Sequence, residues 1–97
     1  VLMKRIRIIF EDHSNKHGLT PEDIAYAVEN PIRTEEMEYK GVLYIRLTGK
    51  HNDVLMQSIG IVMKIEKNTL RIYHAGSGEK SFWDLPFDDW IKRYRVK

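Results

Sequence analysis

The run Lys16-His17-Gly18-Leu19-Thr20-Pro21-Glu22-Asp23-Ile24, followed by Asn30-Pro31, constrains the fold more than any other stretch. It ends one helix and starts another. Gly18 can take the left-handed conformation that closes a helix. Thr20 can cap the next helix, Pro21 suits its first turn, and Glu22 and Asp23 favour its positive end. Pro31 then stops that helix, because the residue before a proline avoids the helical region. The spacing predicts a short helix over 11–17 and a second over 21–29. Ile24, Ala27 and Val28 would form the apolar face of the second.

Around this punctuation the period is two. Residues 3–10 alternate as a strand, with Ile6, Ile8 and Phe10 on one side and Arg5 and Arg7 on the other. Residues 32–38 read as an acidic strand, and Lys40-Gly41 as a hairpin turn. Residues 42–48 give a stronger strand, with Leu43, Ile45 and Leu47 opposite Val42, Tyr44 and Arg46. A polar loop at 49–53 precedes the longest expected strand, 54–65, which puts Ile59, Ile61, Met63 and Ile65 on one face. Lys67-Asn68 turns the chain into a strand over 69–75, where Leu70, Ile72 and His74 alternate with Arg71 and Tyr73. Gly76-Ser77-Gly78 breaks it. Phe87, Trp90, Ile91 and Tyr94 then recur at helical spacing from about Pro86 to Tyr94. Strand, helices, a run of strands and a final helix predict an α+β domain, with helices on one face of an antiparallel sheet of about four strands.

Ninety-seven residues make a single domain over 1–97. No stretch approaches the ~18 consecutive apolar residues of a membrane span, and Lys4, Arg5 and Arg7 interrupt the apolar start as no signal peptide would tolerate. No membrane partner is therefore expected. The chain has no cysteine, which excludes disulfides, thiolate chemistry and Cys-based zinc, and fits the cytoplasm. The net charge of +2 does not by itself demand nucleic acid. Its distribution is more telling: basic residues crowd both ends, and Glu35, Glu36 and Glu38 sit between them.

If each strand turns its more apolar side to the helices, the opposite face carries Arg5, Arg7, Tyr44, Arg46, Gly60, Val62, Lys64, Arg71 and Tyr73. Guanidinium groups bind phosphates in a forked geometry. Tyrosine rings stack on unpaired bases, worth roughly 1–3 kcal/mol per base. Such a surface suits single-stranded RNA, and Gly60 would leave a depression in it. An ordinary solvated sheet face also carries Arg and Tyr, and a slip of one residue would turn any strand over.

Other chemistry has less support. His13 and His17 stand four apart, but the residues between them do not make a zinc-protease motif and no third ligand is spaced with them, so no metal or other cofactor is expected. His74 reads as a hydrogen-bonded core histidine, with a general-acid role open to it at a strand end. Gly76-Ser77-Gly78-Glu79-Lys80 lacks the spacing of a phosphate loop.

Two segments carry a family resemblance. Lys16 through Ile24 with Asn30-Pro31 resembles the KHG-containing helical opening of BrnT-like toxins, in the RelE/ParE toxin superfamily. Leu70-Arg71-Ile72-Tyr73-His74-Ala75 resembles the strand of those proteins that reads roughly R-I-I-S-A-R. The resemblance implies a compact α+β endoribonuclease of a toxin–antitoxin pair, cleaving RNA without a metal and held by a cognate antitoxin protein. It matches Arg71 to the family arginine and puts Arg46 near another. The chain departs from the pattern where Gly76 replaces the arginine that closes the strand, and where Ser81-Phe82-Trp83-Asp84 replaces a basic helix.

The combined expectation is a catalytic group of Arg71, Arg46, Tyr73 and His74, with Arg5, Arg7, Tyr44 and Lys64 binding RNA. The alternative is a non-catalytic RNA- or protein-binding module of the same fold. A small DNA-binding protein ranks last, since no helix-turn-helix reading helix is evident.

Overall fold

The computed structural model describes residues 7–11, 18–78 and 80–95. Helix α1 (Pro21–Glu29) starts where its signals place it. Thr20 Oγ1 accepts from the Asp23 N–H at 3.1 Å, and Asp23 Oδ2 accepts from the Thr20 N–H at 3.0 Å. This reciprocal pair satisfies two amide donors that the helix itself leaves unpaired. Asn30 closes the helix, its side chain donating to the Tyr26 carbonyl at 2.9 Å. The helix expected over 11–17 falls largely outside the described residues.

Five strands form one mixed sheet in the order β1-β5-β4-β3-β2. They are β1 (Arg7–Phe10), β2 (Pro31–Tyr39), β3 (Val42–Gly49), β4 (Ile59–Glu66) and β5 (Thr69–Ser77). β2 to β5 are consecutive antiparallel neighbours, whereas β1 lies parallel to β5. The β2–β3 hairpin turns at Lys40 and Gly41, both at positive φ (53° and 81°). Two such residues give the turn whose twist matches the strands it joins.

Two short helices follow, α2 (Lys80–Asp84) and α3 (Phe87–Arg95). The sequence pattern puts helices on one face only; the structure has them on both. On one side α1 buries Ile24 and Ala27 against Leu47, Ile59, Ile61, Met63, Leu70 and Ile72. Each large aliphatic side chain removed from water in this way contributes roughly 1.5–3 kcal/mol. The approach of α1 requires Gly49: a Cβ there would lie 2.1 Å from the Ala27 carbonyl oxygen. On the other side Phe82, Phe87, Trp90 and Ile91 from α2 and α3 cover Tyr44 and Val62. This C-terminal arm is amphipathic as its spacing predicts, but its apolar stripe needs a partner, and the second sheet face is the one available.

Two further expectations fail. Residues 54–58 are not strand; β4 begins at Ile59. His51 Nδ1 accepts from the Asp53 N–H, and Asp53 Oδ1 accepts from the Leu55 N–H, each at 3.0 Å. These local bonds hold a turn that leaves Val54 and Leu55 at least 90% exposed. The second failure is in β5. Val62 pairs with His74 but Met63 pairs with Ile72, so Tyr73 is an extra residue, a β-bulge. Beyond it the alternation is reset. His74 does not share the face of Leu70 and Ile72, but stacks on Phe82 (5.6 Å between ring centroids) and packs at a tilt against Trp90 (4.6 Å). The membrane expectation is matched to this extent: among the described residues no helix is long and apolar enough to cross a bilayer.

Candidate nucleic-acid interface

Strand register arranges the face beneath the C-terminal arm in rows. One row crosses Tyr44, Lys64 and Arg71; the next crosses Arg46, Val62 and His74; the next crosses Thr48, Gly60 and Gly76. The arm lies over the second and third and over Tyr44 at the end of the first. Phe82 fills the space above Gly60, where a Cβ would meet its ring carbon at 3.1 Å, so the expected depression is occupied. Trp83 Nε1 donates to Thr48 Oγ1 at 2.6 Å.

Arg46 is therefore not an exposed phosphate ligand. It is 4% exposed, and every nitrogen of its guanidinium has a protein partner. Nη1 donates to the carbonyls of Leu85 (2.6 Å) and Phe82 (3.3 Å). Nε donates to Glu35 Oε1 at 3.1 Å, and Nη2 pairs with the same carboxylate. The Trp83 ring is 4.5 Å from this cation and 4.0 Å from the Arg33 guanidinium. Arg46 ties the α2–α3 corner to the sheet. His74, set in the aromatic cluster by the bulge, is likewise turned toward the arm.

The first row is different. Lys64 and Arg71 are cross-strand neighbours, and Tyr44 is paired with Lys64. The side chains of Lys64 and Arg71 are 21% and 32% exposed. Tyr73 is half-buried, its ring 5.9 Å from that of Tyr44. Exposed Arg7 pairs with Thr69, which places it on the same face. Thus Arg71, Lys64, Tyr73 and Arg7 are brought together, while Arg46 and Tyr44, 4% and 6% exposed, lie under the arm, so Tyr44 is not the exposed base-stacking ring expected of it; His74 packs on the arm's aromatic rings, and Arg5 lies outside the described residues.

Two carboxylates that the sequence reading missed complete the row. Arg71 Nη1 donates to Glu11 Oε2 at 2.7 Å and Nε to Glu66 Oε1 at 2.9 Å. Lys64 Nζ reaches Glu66 Oε2 at 2.9 Å. These bonds hold the Glu66 carboxyl below the usual range, through Lys64 first and Arg71 second. They raise the Lys64 ammonium, chiefly through Glu66, and the Arg71 guanidinium, chiefly through Glu11 and then Glu66. Burial raises the Tyr73 phenol. Glu66 was accessible to sequence reasoning, two positions from Lys64 on one strand. Glu11 was not, because its position depends on β1 joining β5 in parallel.

Chemically, the row offers two fixed cations with carboxylates beside them, and the half-buried Tyr73 phenol stands two positions beyond Arg71 on β5. Among the described residues nothing accepts from Arg71 Nη2. An incoming phosphate would compete with the carboxylates for the donors of Arg71 and Lys64. A separate pocket of about 360 Å³, lined by Leu19, Met56, Ile59 and Gly76 among others, opens at the opposite end of β4 and β5 and is remote from these cations. Comparison with protein-family models, with curated proteins and with solved structures finds no match, so the interface is defined by its own geometry.

Proposed function

We propose that this chain is a BrnT-like, toxin-type protein that acts on RNA, with Arg71 at the centre of its working surface. The observation that carries the reading is the adjacency of Arg71, Lys64 and Tyr73 on the strip of sheet that the C-terminal arm leaves accessible. Arg71 and Lys64 would hold the scissile phosphate, and Arg7 would guide the strand toward them. Tyr73 would stack on a base or handle a proton. Arg46 contributes by holding the arm in place rather than by touching RNA. Cleavage on such a surface would proceed by attack of the ribose 2′-OH, with the guanidinium offsetting charge at phosphorus and no metal required. Removing one such donor costs ~10²–10³ in rate. A cognate antitoxin would be the protein partner.

A second reading is a binding-only module of the same fold. It is favoured by the carboxylates that already occupy Arg71 and by the burial of Arg46, which leaves fewer exposed cations than the sequence pattern implies. One experiment separates them. Purified protein and Arg71→Ala are incubated with cellular RNA and with a labelled single-stranded RNA, following cleavage and retention together. Cleavage by the parent and none by the folded variant supports the nuclease. Retention without cleavage, lost in the variant, supports the module. Cleavage at an unchanged rate in the variant removes Arg71 from the mechanism.

A further inference from the structure

Among the described residues the sheet ends at β2, a nine-residue strand whose one strand neighbour there is β3. An edge of this length presents unpaired backbone donors and acceptors, and most proteins shorten or cover such an edge. Pro31 and the irregularity between Pro31 and Arg33 interrupt its beginning. Thr34 to Tyr39 remain in regular register with β3. The two sides of this segment differ in kind. Glu36 and Glu38 pair with Ile45 and Leu43, on the side of the sheet that carries α1. Both glutamates are exposed, and among the described residues neither has an ion-pair partner. Met37 and Tyr39 lie on the other side, half-buried at the margin of the aromatic arm.

This pattern discriminates among possible strands. A second copy of β2, paired antiparallel about Met37, would set Glu36 against Glu38, and like charges directly opposite destabilise a ladder. A strand alternating cationic and apolar residues would place its cations against Glu36 and Glu38 and its apolar side chains beside Met37 and Tyr39. Main-chain hydrogen bonds would supply affinity and the alternating side chains specificity. We propose that the β2 edge docks an extended, basic segment of a partner protein as an additional strand. β3 and β4 separate this edge from Arg71, so docking there neither requires nor implies RNA cleavage.

The test uses a synthetic peptide alternating lysine with valine, long enough to run beside β2, and a glutamate–valine peptide as control. Backbone amide shifts of the isotope-labelled protein report where each one binds, and titration reports how tightly. The lysine peptide should shift amides of residues 34–39 and slow their hydrogen exchange. The glutamate peptide should do neither. The double charge reversal E36K/E38K alters only exposed side chains, and its circular dichroism should match the parent. It should weaken the lysine peptide about tenfold and admit the glutamate peptide. Three results would overturn the proposal: no binding of the lysine peptide, binding whose shifts map away from β2, or binding that survives the reversal. Concentration-dependent protection of β2 amides without peptide would overturn it too, by showing that the edge pairs with a second copy.

Discussion

Arg46 gives the sharpest test of how the two sheet faces are used. Truncating it in Arg46→Ala removes a cation from a site that is 4% exposed. Two backbone carbonyls, Phe82 and Leu85, lose a charged donor at the place where α2 gives way to α3. The Phe82 carbonyl keeps the Trp90 Nε1 donor at 3.3 Å, so the Leu85 carbonyl is the acceptor left unpaired, at about 1–3 kcal/mol. Loss of the stack on Trp83 adds about 0.5–2 kcal/mol. The Glu35 carboxylate adds little, because at 46% exposure water can replace its partner. The expected loss is about 1.5–5 kcal/mol, from these two contributions together. For a chain of this size each kcal/mol moves the melting point by about 4–8 °C, so Tm should fall by at least about 6 °C. The assay is thermal and urea denaturation followed by far-UV circular dichroism and by tryptophan fluorescence, since Trp83 and Trp90 both sit in the affected cluster. Arg46→Met restores bulk but not donors, and should recover only part of the loss. A variant that melts within about 2 °C of the parent but no longer acts on RNA would refute the structural role and return Arg46 to the working surface.

Gly49→Ala should destabilise by about 3 kcal/mol, because the new methyl meets the backbone of α1 at Ala27 and not a movable side chain; a urea midpoint equal to that of the parent would contradict the close approach. Arg71→Ala should leave the melting point nearly unchanged, as its partners are exposed surface carboxylates, while weakening RNA retention and flattening its salt dependence. The folded Glu66 carboxyl has a lowered pKa, so its contribution to stability is present above the unfolded value near pH ~4.3 and is lost as pH falls through the folded value. Melting curves of the parent and of Glu66→Gln should therefore converge on acidification below about pH 4; a gap that persists or widens there would reverse the sign.

Several elements were legible because the sequence states them locally. Thr20, Pro21 and Asp23 announce α1 with a cap, a compatible φ and an acidic first turn, all within one turn of helix. Lys40-Gly41 announces the hairpin in the same way. Leu47, Ile61 and Ile72 could be assigned to the core from alternation alone. What failed depends on contacts distant in sequence. Val54, Leu55 and Met56 are apolar enough to extend a strand, and only the bonds of His51 and Asp53 fold them into a turn. The parallel partnership of β1 with β5 has no local marker. For the interface, the cations and the nearby Glu66 were visible, but the arm that covers Arg46 and the Glu11 carboxylate on Arg71 were not, because both come from segments far along the chain.

The additional residue at Tyr73 has a consequence for any comparison made by counting along this strand. Upstream of it, odd-numbered positions look toward the arm; downstream, the parity is inverted, and Ala75 joins the α1 layer. A homologue matching these letters but shorter by one residue here would present everything after the kink to the other layer. Likeness of spelling across Arg71 to Gly76 is thus no guarantee of likeness in space, and an arginine missing from one side of the kink can be replaced only by a residue whose parity accounts for it.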